Sequence, residues 1–238
     1  MARKPPPGKC VHCCNHSDKR NWDHVFPESW YPTNTPQNLE KWKIPTCLNC
    51  NKEYGVIEQE LLIRLALCLD PNSSNNKGII ERAMRSIDPT KAKRQGDRRA
   101  RQAKREQVRR EMMVGRDIPG EGIYPGLGER WYRPVEHRAA ITVRADHVRK
   151  LCEKIVRGIV YLEDGLYIEH PFDIEFFALT DSGAESFVEI LNKFGQVLSR
   201  EPGIIVRRAV AHEDGTSSIW EITIFGQFVM YATVTRDD

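Results

Sequence analysis

The sequence predicts a mixed α+β chain of two domains, and three observations predict it. Two C-x-x-C pairs, Cys10/Cys13 and Cys47/Cys50, frame the first quarter of the chain. Between Lys91 and Arg110 the residues are helix-forming and strongly basic, with ten Lys or Arg against two acids, a local excess of +8. Beyond that run, helical apolar stripes mix with β-patterned segments. At 238 residues the chain is long for a single core. The reading divides it into residues 1–9, a zinc-stapled module over 10–90, a basic helix and linker over 91–134, and an α+β domain over 135–238.

Residues 1–9 are rich in proline and basic groups and read as a loose end. After the second cysteine pair, "YGVIEQELLIRLALCLDP" puts Ile57, Leu61, Leu65 and Cys68 on one helical face, widened by Leu62 and Leu69. Asp70-Pro71 ends that helix. "NSSNN" is a polar turn, and "GIIERAMRSI" is a short amphipathic helix stopped by Asp88-Pro89. The basic run then reads as an exposed helix, and Gly115 to Pro134, dense in Gly and Pro, as the linker.

In the last hundred residues Val148, Leu151, Ile155 and Ile159 mark a helix and "FDIEFFAL" a strand. "TDSGAESFVEILNKFG" carries Thr180 or Asp181 as N-cap and Gly195 past the last turn, with Phe187, Ile190, Leu191 and Phe194 inward. "GIIVRRAVA" and "SSIWEITIFGQFVMYATV" read as strands, the second folding into a hairpin near Phe225 to Gln227. The apolar "FVMYATV" is expected to leave an open edge, which points to a homodimer or another protein partner at this domain.

Composition narrows the chemistry. With 40% apolar and 29% charged residues and a negative mean hydropathy, the chain has no run of about 18 apolar residues, and a membrane protein is excluded. The N-terminus lacks the apolar region of a secretory signal, so a cytoplasmic protein is expected. In a reducing compartment paired C-x-x-C motifs hold zinc more often than they form disulfides. Cys10, Cys13, Cys47 and Cys50 are therefore the expected zinc ligands, with His12, His16 and Cys14 as alternatives. Trp22, Trp30 and Trp42 are read as core packing.

Nested between the pairs lies "NWDHVFP", which sets Asp23 beside His24; Asn38 follows in "QNL", and Asn51 stands directly after the fourth cysteine. This arrangement resembles the HNH endonucleases, whose ββα-metal core, treble-clef-like, is flanked in many members by such a pair of zinc knuckles. The resemblance covers about Cys10 to Cys68. It implies a phosphodiester hydrolase acting on DNA, with RNA still open, and work in restriction or phage defence. It casts His24 as general base, Asp23 and Asn51 as holders of a catalytic Mg²⁺ or Mn²⁺, and Asn38 as the residue that orients the imidazole through a hydrogen bond or supports the loop that does so. The chemistry suits the parts: an imidazole deprotonates water near neutral pH, and oxygen ligands suit a hard cation.

One departure is Gly55, which stands where family members often carry a lysine or histidine. Arg98, Arg99, Arg101, Lys104 and Arg105 are the expected grip on the nucleic-acid backbone. Two competing readings are a non-catalytic zinc module that binds nucleic acid, and a protein-interaction adaptor that docks an acidic partner.

Overall fold

The structure, a computed structural model, describes residues 4–118, 134–177 and 184–237. Its elements are mixed α and β. Strands β1 (Gly8–Lys9) and β2 (His16–Ser17) form a two-residue ladder around the first cysteine pair. Strand β3 (Arg20–His24) pairs antiparallel with β4 (Lys43–Cys47), Asp23 opposite Ile44 and His24 opposite Lys43. Helix α1 (Leu48–Cys68) follows β4 without a break, and its N-terminus is capped by the Cys47 sulfur, which accepts from the Cys50 N–H. Helices α2 (Ile79–Ser86) and α3 (Gln95–Glu111) pack beside it.

Residues 4–9, expected to be loose, are pinned. The Arg20 guanidinium donates to the carbonyls of Pro6, Pro7 and Lys9, at 2.7, 3.5 and 2.6 Å. A lone arginine in a strand gives no sign in sequence of such a long-range clamp. The segments on either side of the linker pair with each other, β5 (Met112–Val114) with β6 (Ala139–Ile141), a ladder the sequence did not predict. The rest of that linker, 119–133, lies outside the described residues, as do the expected caps Thr180 and Asp181.

Helix α4 (Ala145–Asp164) buries Val148, Leu151, Cys152, Ile155 and Ile159 as its stripe predicts. Strand β7 (Phe172–Phe177), helix α5 (Ala184–Phe194) and strands β8 (Gln196–Arg200), β9 (Ile204–Val210), β10 (Ser218–Ile224) and β11 (Phe228–Arg236) complete the described chain. The five strands form one antiparallel sheet in the order β7-β11-β10-β9-β8. This corrects two expectations. β11 lies between β7 and β10, so the hairpin has no open edge there, and the strand argument for a homodimer falls. Among the described side chains of α5 Leu191 alone is buried deeply, while Ile190 and Phe194 are 38% and 66% exposed, because this helix touches β9 and β10 along a narrow seam.

A single apolar cluster crosses the expected domain boundary. It joins Val25, Phe26, Trp30 and Ile44 to residues of α1, α4, β9, β10 and β11. Phe26 and Trp30 meet Phe225 edge-on and stacked, with ring centroids 6.2 and 5.9 Å apart. Trp30 and Trp42 are core residues as expected, whereas Trp22 is 44% exposed. No helix among the described residues is long and apolar enough to cross a membrane.

Candidate functional site

The four cysteines converge from three places. Cys10 and Cys13 lie at the turn between β1 and β2, Cys47 ends β4, and Cys50 sits in the first turn of α1. Their Sγ atoms all lie within 4.8 Å of one another. None of the seven cysteines forms a disulfide. Zinc–sulfur bonds of about 2.3 Å in a tetrahedron put neighbouring sulfurs about 3.8 Å apart, and Cys13 Sγ lies 3.9 Å from Cys47 Sγ.

Backbone N–H groups support negative sulfur, Cys47 N–H donating to Cys10 Sγ at 3.3 Å and Cys50 N–H to Cys47 Sγ at 3.4 Å. The hydrogen bond from the Cys50 thiol holds Cys10 down at about 4, and the same contact pushes Cys50 well up. Crowded sulfurs that cannot all ionise alone are the donor set a soft, borderline cation resolves. The residues fit a structural zinc ion. The alternative ligands stand apart: Cys14 Sγ faces the Ile168 carbonyl, His16 lies exposed on β2, and His12 turns toward Asp23.

Strand alternation sends Asp23 and His24 to opposite faces of β3. Asp23 points inward with Val25, toward α4, into a polar cluster drawn from four segments. His12 Nε2 donates to Asp23 Oδ2 at 3.3 Å, and the Lys154 ammonium of α4 lies 3.1 Å from both carboxylate oxygens. The same ammonium donates to Glu58 of α1 and sits 5.5 Å from the centre of the Tyr54 ring. The His12 ring packs on Tyr54 with centroids 4.5 Å apart. Lys154 is fully buried, at 0% exposure.

Burial alone would raise the Asp23 carboxyl, but the His12 hydrogen bond and the Lys154 charge outweigh it and hold it below the usual carboxylate range. Burial raises Glu58 despite the same ammonium, and lowers His12 despite Asp23.

His24 is half-buried at the end of β3, and its Nε2 is covered and has no partner among the described residues. Desolvation lowers its imidazole; nearby Lys43 and Lys41 add to that and Glu28 opposes it. Asn51 lies one residue past Cys50 in the first turn of α1, half-buried, and Asn38 is exposed in the loop between β3 and β4. Neither amide makes a side-chain hydrogen bond among the described residues. The expected bond from Asn38 to His24 is therefore not formed.

The five basic residues expected to grip a backbone divide. Arg98, Arg99 and Arg105 are exposed on α3, and none of the three makes a side-chain hydrogen bond or salt bridge among the described residues, although Arg105 is near enough to Asp88 to help lower its carboxyl. Arg101 instead binds Asp97 and the Arg85 carbonyl, at 2.9 and 2.8 Å, and Lys104 binds Gln59 at 2.5 Å. Those two fasten α3 to the helices beneath it.

Sequence reasoning left Lys154 out of the site and weighed His12 only as an alternative zinc ligand, not as a partner of Asp23. Lys154 lies on an apolar helix 131 residues from Asp23, and its one detectable signal is a lysine at a position that the helical stripe assigns to the core. Comparison with protein-family models, with curated proteins and with solved structures finds no match for this chain.

Proposed function

We propose that this chain is a nuclease of the HNH type that hydrolyses phosphodiester bonds of DNA. One observation carries the reading: a β-hairpin runs directly into a helix, is stapled by four convergent thiols, and carries Asp-His at the end of its first strand and an asparagine in the first helical turn. The half-buried imidazole of His24, whose neutral form desolvation favours, is the kind of group that takes a proton from water, once water reaches its covered Nε2. The exposed guanidinium groups of Arg98, Arg99 and Arg105 offer charge to backbone phosphates without reading bases.

The donor set of Asp23 carboxylate and Asn51 amide oxygen suits a hard cation such as Mg²⁺ or Mn²⁺. Such an ion would offset the charge that develops on a scissile phosphate. Asn51 is uncommitted, whereas Asp23 already shares its oxygens with Lys154 and His12.

That sharing favours a second reading, a zinc-stapled module that binds nucleic acid without cutting it. Plasmid incubated with Mg²⁺ and purified parent or His24→Ala protein separates the two. The nuclease reading expects nicking by the parent, and a variant that keeps zinc and DNA affinity but does not nick. Nicking that survives His24→Ala removes the base assignment. Binding without nicking by both proteins selects the second reading.

A further inference from the structure

We propose that the outward face of the β3–β4 ribbon holds a single strand of DNA, with one base stacked on the Trp22 indole and the adjoining phosphate on the Lys43 ammonium. This names the form of the substrate and rests on the reading of the chain as a protein that acts on DNA. Alternation along β3 puts Trp22 and His24 on one face and Asp23 on the other. The register sets Pro45 opposite Trp22 and Lys43 opposite His24. Facing residues of antiparallel strands have Cβ atoms about 4.5–5.5 Å apart, so Lys43 stands beside the imidazole and diagonally across from the indole.

Both side chains are placed to meet something outside the chain. Trp22 is 44% exposed, whereas Trp30 and Trp42 are core residues. Lys43 is exposed and makes no side-chain hydrogen bond or salt bridge among the described residues. The acid on this side of His24, Glu28, is bonded to Lys41 at 3.1 Å, which leaves the Lys43 charge for a ligand. An aromatic face beside a cation is how proteins grip single strands without reading sequence, because every base can stack and every phosphate needs a countercharge. A duplex keeps its bases stacked on one another and shows the indole only its backbone. Residues two apart in a strand are about 6.5 Å from each other, comparable to one nucleotide of an extended chain. A base on Trp22 therefore leaves the next phosphodiester over Lys43, at the side of His24. The substrate that fits is DNA with an unpaired stretch next to the bond that is cut.

The test compares a dye-labelled thymidine oligonucleotide with an abasic strand of the same length, each followed by fluorescence anisotropy as the zinc-loaded full chain is added without Mg²⁺. The parent should bind the thymidine strand about fivefold tighter or more than the abasic one. Trp22→Leu should lose that ratio while gripping the abasic strand as the parent does, and Trp22→Phe should keep part of it. Lys43→Gln should weaken both strands alike, with the ratio unchanged, and make the logarithmic fall of affinity with salt shallower by about 0.7. A parent that does not distinguish the strands, or a ratio that survives Trp22→Leu, overturns the proposal. So does a Trp22→Leu protein that loses affinity for both strands equally, the mark of a merely structural indole. Should Trp22→Leu fail to fold, as judged by zinc content and melting, the parent's ratio and Lys43→Gln decide, and equal affinities or an unchanged salt slope overturn it. Plasmid nicking measured beside the titrations separates the two ideas. Nicking by a parent that ignores bases sinks this proposal and spares the nuclease, while a base-dependent grip lost with Trp22, in a protein that never nicks, does the reverse.

Discussion

Replacing Gly158 by alanine tests the seam that brings α4 onto β3. A Cβ at Gly158 would lie 2.5 Å from Val25 Cγ2 and 2.8 Å from Cγ1. Carbon atoms settle at about 3.5–4.0 Å, so the new methyl intrudes by about 1 Å into a residue that is itself 0% exposed. Overpacking of this kind costs about 1–3 kcal/mol, and alanine returns about 1 kcal/mol of helix propensity. A net loss of about 1 kcal/mol should lower Tm by about 2–4 °C for a chain of this size. Val25→Ala opens space at the same point, so the double variant should be more stable than the sum of the two single losses.

The assay is urea or thermal unfolding of zinc-loaded parent, Gly158→Ala, Val25→Ala and the double variant, read as a cycle. Additivity within about 0.3–0.5 kcal/mol, or a Gly158→Ala protein more stable than the parent, would refute the packing argument.

Three further outcomes follow from the site. Chelation of zinc, or Cys47→Ser, should abolish equimolar zinc binding and loosen the hairpin and the start of α1, read as faster amide exchange there than in β9 to β11; uniform protection would contradict the staple. Because burial lowers His24 from 6.5, its ring stays neutral further into acid, so cleavage should hold through neutrality and fall only below about pH 6.5; an acid limb centred above that value would count against His24 as base. Arg98, Arg99 and Arg105 changed together to glutamine should weaken DNA binding and flatten its salt dependence with little change in melting, whereas Arg101→Gln and Lys104→Gln should lower the melting temperature; equal effects on DNA affinity from both sets would refute the division of α3 into two faces.

Legibility from the sequence followed the range of the interactions. Helix α1 was readable because a 3.6-residue stripe is a local signal, whereas the hairpin before it was expected only through the family resemblance carried by the cysteine pairs and Asp-His. The α4 stripe and the β10–β11 hairpin were readable as local patterns too. Strands β1, β2 and β8 were not, since two- to five-residue strands with mixed polarity carry little pattern. The Arg20 clamp on residues 6–9 was also invisible, as was the capture of Asp23 by Lys154, because each depends on which distant backbone or carboxylate the fold delivers. The same holds for β11, whose apolar run marks a strand but not the neighbour β7 that covers its edge. Arg101 and Lys104 looked like Arg98 in a list of basic residues, and only the packing of α3 on α1 and α2 tells them apart.

The shared aromatic contact of Phe26 and Trp30 with Phe225 bears on how the chain can be cut. A fragment that stops ahead of α4 would bare the inner side of β3 and two large rings that normally face the sheet, and would be expected to precipitate in isolation. Partial deletions are therefore poor tools for assigning work to either end, and point substitutions in the intact polypeptide are the sounder instrument.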